Sequence, residues 1–138
     1  RLEAGTQNVT GIAGLLEGLR FIQRKSPEVI LNHERFLAAR CADALSALPG
    51  VRVFAAPRLF CQAGVLSFQV DGMDCEDVGQ ALGEQGIAVR SGLHCAPLAH
   101  RSAGTLDVGT IRVSFSAFNS SGDVDALAGA VARLPRRQ

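Results

Sequence analysis

Apolar residues along the first part of the chain recur at helical spacing. From Val9 to Lys25, Ile12, Leu15, Leu16, Leu19 and Ile22, with Gln23 beside them, predict one amphipathic helix, and Asn8 stands where an N-cap belongs. Ser26-Pro27-Glu28 is a start signal for a second helix, because Ser accepts from exposed amides and Pro sits where its missing donor costs nothing. That helix should run to about Leu48, with Ile30, Leu37, Cys41, Leu45 and Leu48 on its buried side and Pro49-Gly50 ending it. Residues 51–55 then alternate as a strand, and 64–70 form a second strand that turns Leu66, Phe68 and Val70 to one face. Asp74 caps a third helix carrying Val78, Ala81 and Leu82 inward, and Gly86 suits the left-handed residue that closes it. Residues 87–89 read as a short third strand entering a Gly- and Pro-punctuated loop. In 110–116 the odd positions are apolar and the even ones polar, so Arg112 points away from the face of Ile111, Val113 and Phe115. Ser120 or Ser121 caps the last helix, striped by Val124, Leu127, Val131 and Leu134 and stopped by Pro135. The order predicts an α/β chain of the α+β kind, a small sheet of about four strands covered by helices.

Composition narrows the function. The chain has 138 residues, is 47% hydrophobic and carries a net charge of +1, which suits a single domain with a sizeable core. Its basic residues are scattered apart from Arg133, Arg136 and Arg137, so nothing marks a nucleic-acid footprint. No apolar run approaches the roughly 20 residues that span a bilayer, and the first residues are not a signal peptide, so a cytoplasmic protein with no membrane partner is expected. The opening residues form no complete element and lack an initiator methionine, as if the chain began in the middle of something. Four widely spaced cysteines, with no Cys-x-x-Cys pair, are expected to be free thiols. Cys41 falls on a helix stripe as a small hydrophobe, whereas Cys61 and Cys75 fall in or near loops. His33 reads as a helix-face residue rather than a ligand.

The chemistry concentrates in 86–100, where Cys95 lies between His94 and His100 and Arg90 stands at the end of the predicted strand. A cysteine is nucleophilic as its thiolate, which needs exposure and nearby positive charge or amide dipoles. Gly92 lets the backbone approach a ligand. An inert loop thiol beside surface histidines is the alternative. Arg90 and Arg112, on adjacent predicted strands, have the planar donor set that matches a carboxylate, although either also reads as a surface arginine. A zinc site from His94, Cys95 and His100 lacks a fourth ligand, and its adjacent ligands strain tetrahedral geometry, so no metal is expected.

Three segments resemble a known family. Glu3-Ala4-Gly5-Thr6-Gln7-Asn8, the stretch from Gly86 to Pro97 around Cys95, and Gly109-Thr110-Ile111-Arg112-Val113-Ser114 with Phe118-Asn119 and Asp125 resemble the class V aminotransferase fold. Within it they are most similar to the pyridoxal-phosphate-dependent cysteine desulfurases and selenocysteine lyases of the SufS type. The resemblance implies the C-terminal domain of a fold type I enzyme, with residues 1–25 ending the cofactor-domain region and 26–138 forming the small domain. It implies that Cys95 takes sulfur from L-cysteine as a persulfide and leaves alanine. It implies further that Arg112 clamps the substrate carboxylate, that Arg90 supports the site's edge, and that Thr6 reaches the cofactor phosphate of a neighbouring subunit. His94 either tunes the thiol or only holds position. A sulfur-acceptor protein and a homodimeric full-length parent follow from the same resemblance.

The departures are specific. Gln7 replaces the family's proline, and residues 98–105 are similar to a different branch of the family. The Schiff-base lysine and ring-stacking histidine have no counterpart, since Lys25 is the only lysine. The chain alone is therefore expected to be inactive and to bind no pyridoxal phosphate. Alternatives are a selenocysteine lyase or class V aminotransferase in which Cys95 is dispensable, a free-standing sulfur-carrier or interaction module, and a dimerisation remnant.

Overall fold

A computed structural model describes residues 5–58 and 61–135. The elements run α1 (Val9–Lys25), α2 (Pro27–Ser46), β1 (Val51–Phe54), β2 (Val65–Val70), α3 (Cys75–Glu84), β3 (Arg90–Gly92), α4 (Pro97–Ala103), β4 (Thr110–Ser114) and α5 (Ser121–Ala132). The four strands form one sheet in the order β1-β2-β4-β3, every neighbouring pair antiparallel.

Register divides the sheet into two faces. Val53 pairs with Phe68, Phe68 with Ile111, and Leu66 with Val113, which places these apolar side chains on one inner face. The helices α2, α3 and α5 cover that face and meet it in a single core built on Leu37, Leu45, Phe68, Leu82, Ile111, Val124 and Val131, all essentially inaccessible to water. Burying each such side chain contributes about 2 kcal/mol. The alternate positions, Phe54, Ser67, Thr110, Arg112 and Arg90, make up the outer face. The short α4 stands above this face, with a cavity of about 150 Å³ between it and Phe54, Ser67 and Thr110.

Local chemistry explains the element ends. The Asn8 side chain accepts from the Gly11 amide at 2.9 Å, Ser26 from Val29 at 3.3 Å, and Asp74 from Glu76 at 2.8 Å. At α5 the Asp123 carboxylate accepts from the Ser120 amide at 2.7 Å, which holds it below its usual pKa. Gly86 takes φ +76 after α3, as its position at the helix end requires.

Two expectations need correction. The third strand is Arg90–Gly92 rather than 87–89, because pairing with Thr110 to Arg112 on β4 places the ladder three residues later. The segment read as open loop after Cys95 contains α4, with Pro97 in its first turn and left-handed Gly104 at its end. Cys75, next to the turn at 71–74, is the buried first residue of α3.

Helix α1 has the predicted period, yet its apolar stripe from Val9 to Ile22 is 42–69% exposed. Among the described elements α1 packs against α2, and a stack of Phe21 on Phe118, with ring centroids 5.1 Å apart, ties it to the loop before α5. No helix among the described residues is long and apolar enough to cross a membrane.

Candidate active site

The site grows from the β3–β4 pair. Arg112 lies on the outer face between Ser67 on β2 and Arg90 on β3, its register partners on either side. It is half-buried, and its Nε is shielded from solvent with no hydrogen-bond partner. Arg90 is exposed at the sheet edge.

Beyond Gly92, at φ +102, the chain leaves the sheet through two consecutive left-handed residues, His94 at φ +52 and Cys95 at φ +59. Each costs about 1 kcal/mol or more for a residue with a Cβ, so neighbouring contacts must hold them. His94 Nε2 meets the Thr110 carbonyl oxygen and Oγ1, both at 3.1 Å, and the Ala96 amide donates to the Leu93 carbonyl at 2.9 Å. Downstream, buried His100 is hydrogen-bonded through Nδ1 to Thr105 Oγ1 at 2.8 Å, and the Thr105 amide donates to the His100 carbonyl at 2.9 Å. The loop is thus anchored on both sides of Cys95, which stays exposed at its tip.

The two imidazoles lie 5.7 Å apart between ring centroids. A carbonyl oxygen can only accept, so His94 Nε2 carries the proton and Nδ1 is a lone pair. That Nδ1 is buried and unpartnered. Burial first, then the charges of Arg112, His100 and Arg90, hold His94 below its ordinary pKa and keep the ring neutral. The ring therefore engages Thr110 through Nε2 and leaves the Cys95 sulfur to solvent.

The other thiols differ in kind. Burial pushes Cys41 up to about 12, and it also raises Cys75, whose sulfur lies beneath Gly92 and close to Gly109. Cys61 and Cys95 are the exposed ones. Thr6 is exposed ahead of α1 and is not brought to the Cys95 loop by any element that α1 contacts, while Glu3 and Ala4 of its motif lie outside the described residues. Among the described residues no group of three or more His, Cys, Asp or Glu is placed to hold a metal ion.

Sequence reasoning missed Thr110, Thr105 and Ser67. Thr105 lies five residues after His100, a visible local signal, but Thr110 and Ser67 reach the site only through strand pairing.

The family model of aminotransferase class V matches residues 1–127. The chain belongs to the aminotransferase class V family. Curated relatives of this class V chain include cysteine desulfurase CsdA of Escherichia coli, 39% identical over 96% of this chain and 32% of its own length. Probable cysteine desulfurase 2 of Mycobacterium leprae is 35% identical over 96% of this chain and 31% of its own length. Among solved structures, the apo cysteine desulfurase of Thermococcus onnurineus superposes with a TM-score of 0.84 at 37% identity, covering 96% of this chain and 32% of that one. The class V chain thus spans about a third of the length of these relatives.

C-DES, a cystine C–S lyase, is also similar in structure, and a variant of it carries glycine covalently linked to a PLP cofactor. The one lysine of this chain, Lys25, is exposed in the last turn of α1.

Proposed function

We propose that this chain is the C-terminal third of a pyridoxal-phosphate-dependent cysteine desulfurase, in which Cys95 accepts sulfur from L-cysteine. The carrying observation is the exposed Cys95 on a loop anchored through His94 and His100 at the edge of the face that holds Arg112 and Arg90. The substrate's carbon–sulfur bond breaks, a sulfur–sulfur bond forms on Cys95, and cysteine less one sulfur atom leaves as alanine. No outside oxidant is needed, because the carbon is reduced as the sulfurs are oxidised.

Arg112 clamps the substrate carboxylate and Arg90 adds positive charge at the edge of the same site. Pyridoxal phosphate belongs to a lysine-bearing region of the parent, in which residues 1–25 end the cofactor-domain region and 26–138 form the small domain. The exposed stripe of α1 supports that division. Thr6 serves the cofactor phosphate of a neighbouring subunit in a homodimer. The persulfide passes to a sulfur-acceptor protein, and the parent works in the cytoplasm, where thiols stay reduced.

The test is alanine release from cysteine by the full-length protein and its Cys95→Ser variant. Loss of turnover by about two orders of magnitude or more is expected when the nucleophile is removed. Undiminished activity overturns the reading. It favours instead a selenocysteine lyase of the same fold, in which Cys95 is dispensable.

A further inference from the structure

Among the described residues two buried side-chain polar atoms lack a hydrogen-bond partner, His94 Nδ1 and Arg112 Nε. They are complementary. His94 Nδ1 is an acceptor because Nε2 carries the ring proton toward Thr110, and Arg112 Nε–H is always a donor. They are also neighbours, since the imidazole stands on Thr110 and Arg112 follows two residues later on the same face of β4, about 7 Å along the strand.

Both atoms are shielded from solvent, so neither water nor substrate reaches them in this arrangement. Their partners must come from within the protein. We propose that His94 is the positioning residue for Arg112, accepting the Nε–H on Nδ1 and thereby turning the two terminal nitrogens of the guanidinium toward an α-carboxylate. The chain of contacts is Thr110 to His94 to Arg112, with Thr110 setting the tautomer that makes the next contact possible. Neither atom makes this bond in the present arrangement, so the pairing requires a turn of one side chain toward the other, whereas its use in holding a substrate carboxylate rests on the desulfurase reading.

The surrounding charges keep the acceptor available. Arg112 on β4, Arg90 on β3 and His100 on α4 all face the ring, and each disfavours a proton on Nδ1. A protonated ring presents a donor to a donor and releases the guanidinium.

The test combines a crystal structure of the full-length protein with steady-state kinetics on cysteine. The expected separation of His94 Nδ1 and Arg112 Nε is an ordinary hydrogen-bond length of about 3 Å. A separation beyond about 4 Å, with and without bound alanine, overturns the pairing. His94→Gln still reaches Thr110 but has no acceptor at the Nδ1 position, so KM should rise about tenfold with kcat held within about twofold, the signature of one lost binding contact. His94→Asn places an oxygen near Nδ1, so KM should return to within about threefold of the native value. Native KM should climb as pH falls below the ordinary histidine range, and the Asn variant should lack that rise. Equal defects in the two variants, or a flat native profile, overturn the positioning role. A short separation in a protein that releases no alanine leaves the pairing in place and removes the desulfurase reading instead.

Discussion

Arg90 and Arg112 face each other directly across the β3–β4 ladder, two like charges on one face of the sheet with Arg112 half-buried. Such a pair opposes folding of the free protein and suits an anion that bridges it. Replacing Arg90 with Gln should raise stability by about 0.5 kcal/mol at low ionic strength. The gain should fade in about 1 M salt, where the Debye length is only about 3 Å. Urea unfolding at two salt concentrations checks this, and a loss of stability in both would show that Arg90 has a compensating partner.

Gly109 carries the backbone turn that brings β4 up beside β3. Its φ is +65, and a Cβ there would lie 3.0 Å from both the Cys75 sulfur and the Gly92 backbone. Gly109→Ala should cost about 2 kcal/mol, from the left-handed conformation and from displacement of Gly92. Chemical denaturation measures the cost. Faster alkylation of Cys75 in the variant would locate the disturbance.

The thiols should separate in a labelling experiment. At neutral pH iodoacetamide should modify exposed Cys95 and Cys61 first, while Cys41, raised to about 12 by burial, reacts only after unfolding. Because its folded pKa lies above the unfolded one, the stability this thiol contributes is complete below the unfolded pKa and lost as pH rises toward 12. Mass spectrometry of timed samples gives the order. Equal rates for Cys41 and Cys95 would mean that the α2 core opens freely.

His94 predicts an acid-side effect of opposite sense. Its folded pKa lies below the ordinary 6.5, so the unfolded chain binds the proton more tightly. The stability it contributes is complete above pH 6.5 and is lost as pH falls through the lower folded value. Unfolding free energies between about pH 7 and pH 5 should decline less steeply for His94→Asn than for the native chain. Parallel declines would assign the acid sensitivity to other groups.

Much of the architecture was legible along the chain because it depends on periodicity and end signals. Helices α1, α2, α3 and α5 announced themselves through stripes of three- and four-residue spacing and through Asn8, Ser26, Asp74 and Ser120 at their starts. The alternation around Arg112 placed it off the core face, where the register puts it. Cys95 stood out because its neighbours are two histidines and an arginine in a glycine-punctuated loop.

What could not be read locally depends on partners distant in sequence. Strand β3 has three residues, too few for a period, and only its pairing with β4 sets its place. Helix α4 has seven residues and no apolar stripe to bury, so Pro97 and Gly104 were its sole marks. The roles of His94 and Arg112 diverge in the same way. Sequence determined that an imidazole and a guanidinium of these types lie near a cysteine, since residue identity and local spacing are one-dimensional facts. Tertiary structure alone decided that the imidazole leans on Thr110 through Nε2 and buries Nδ1 without a partner, because hydrogen-bond geometry is settled only when strands lie side by side.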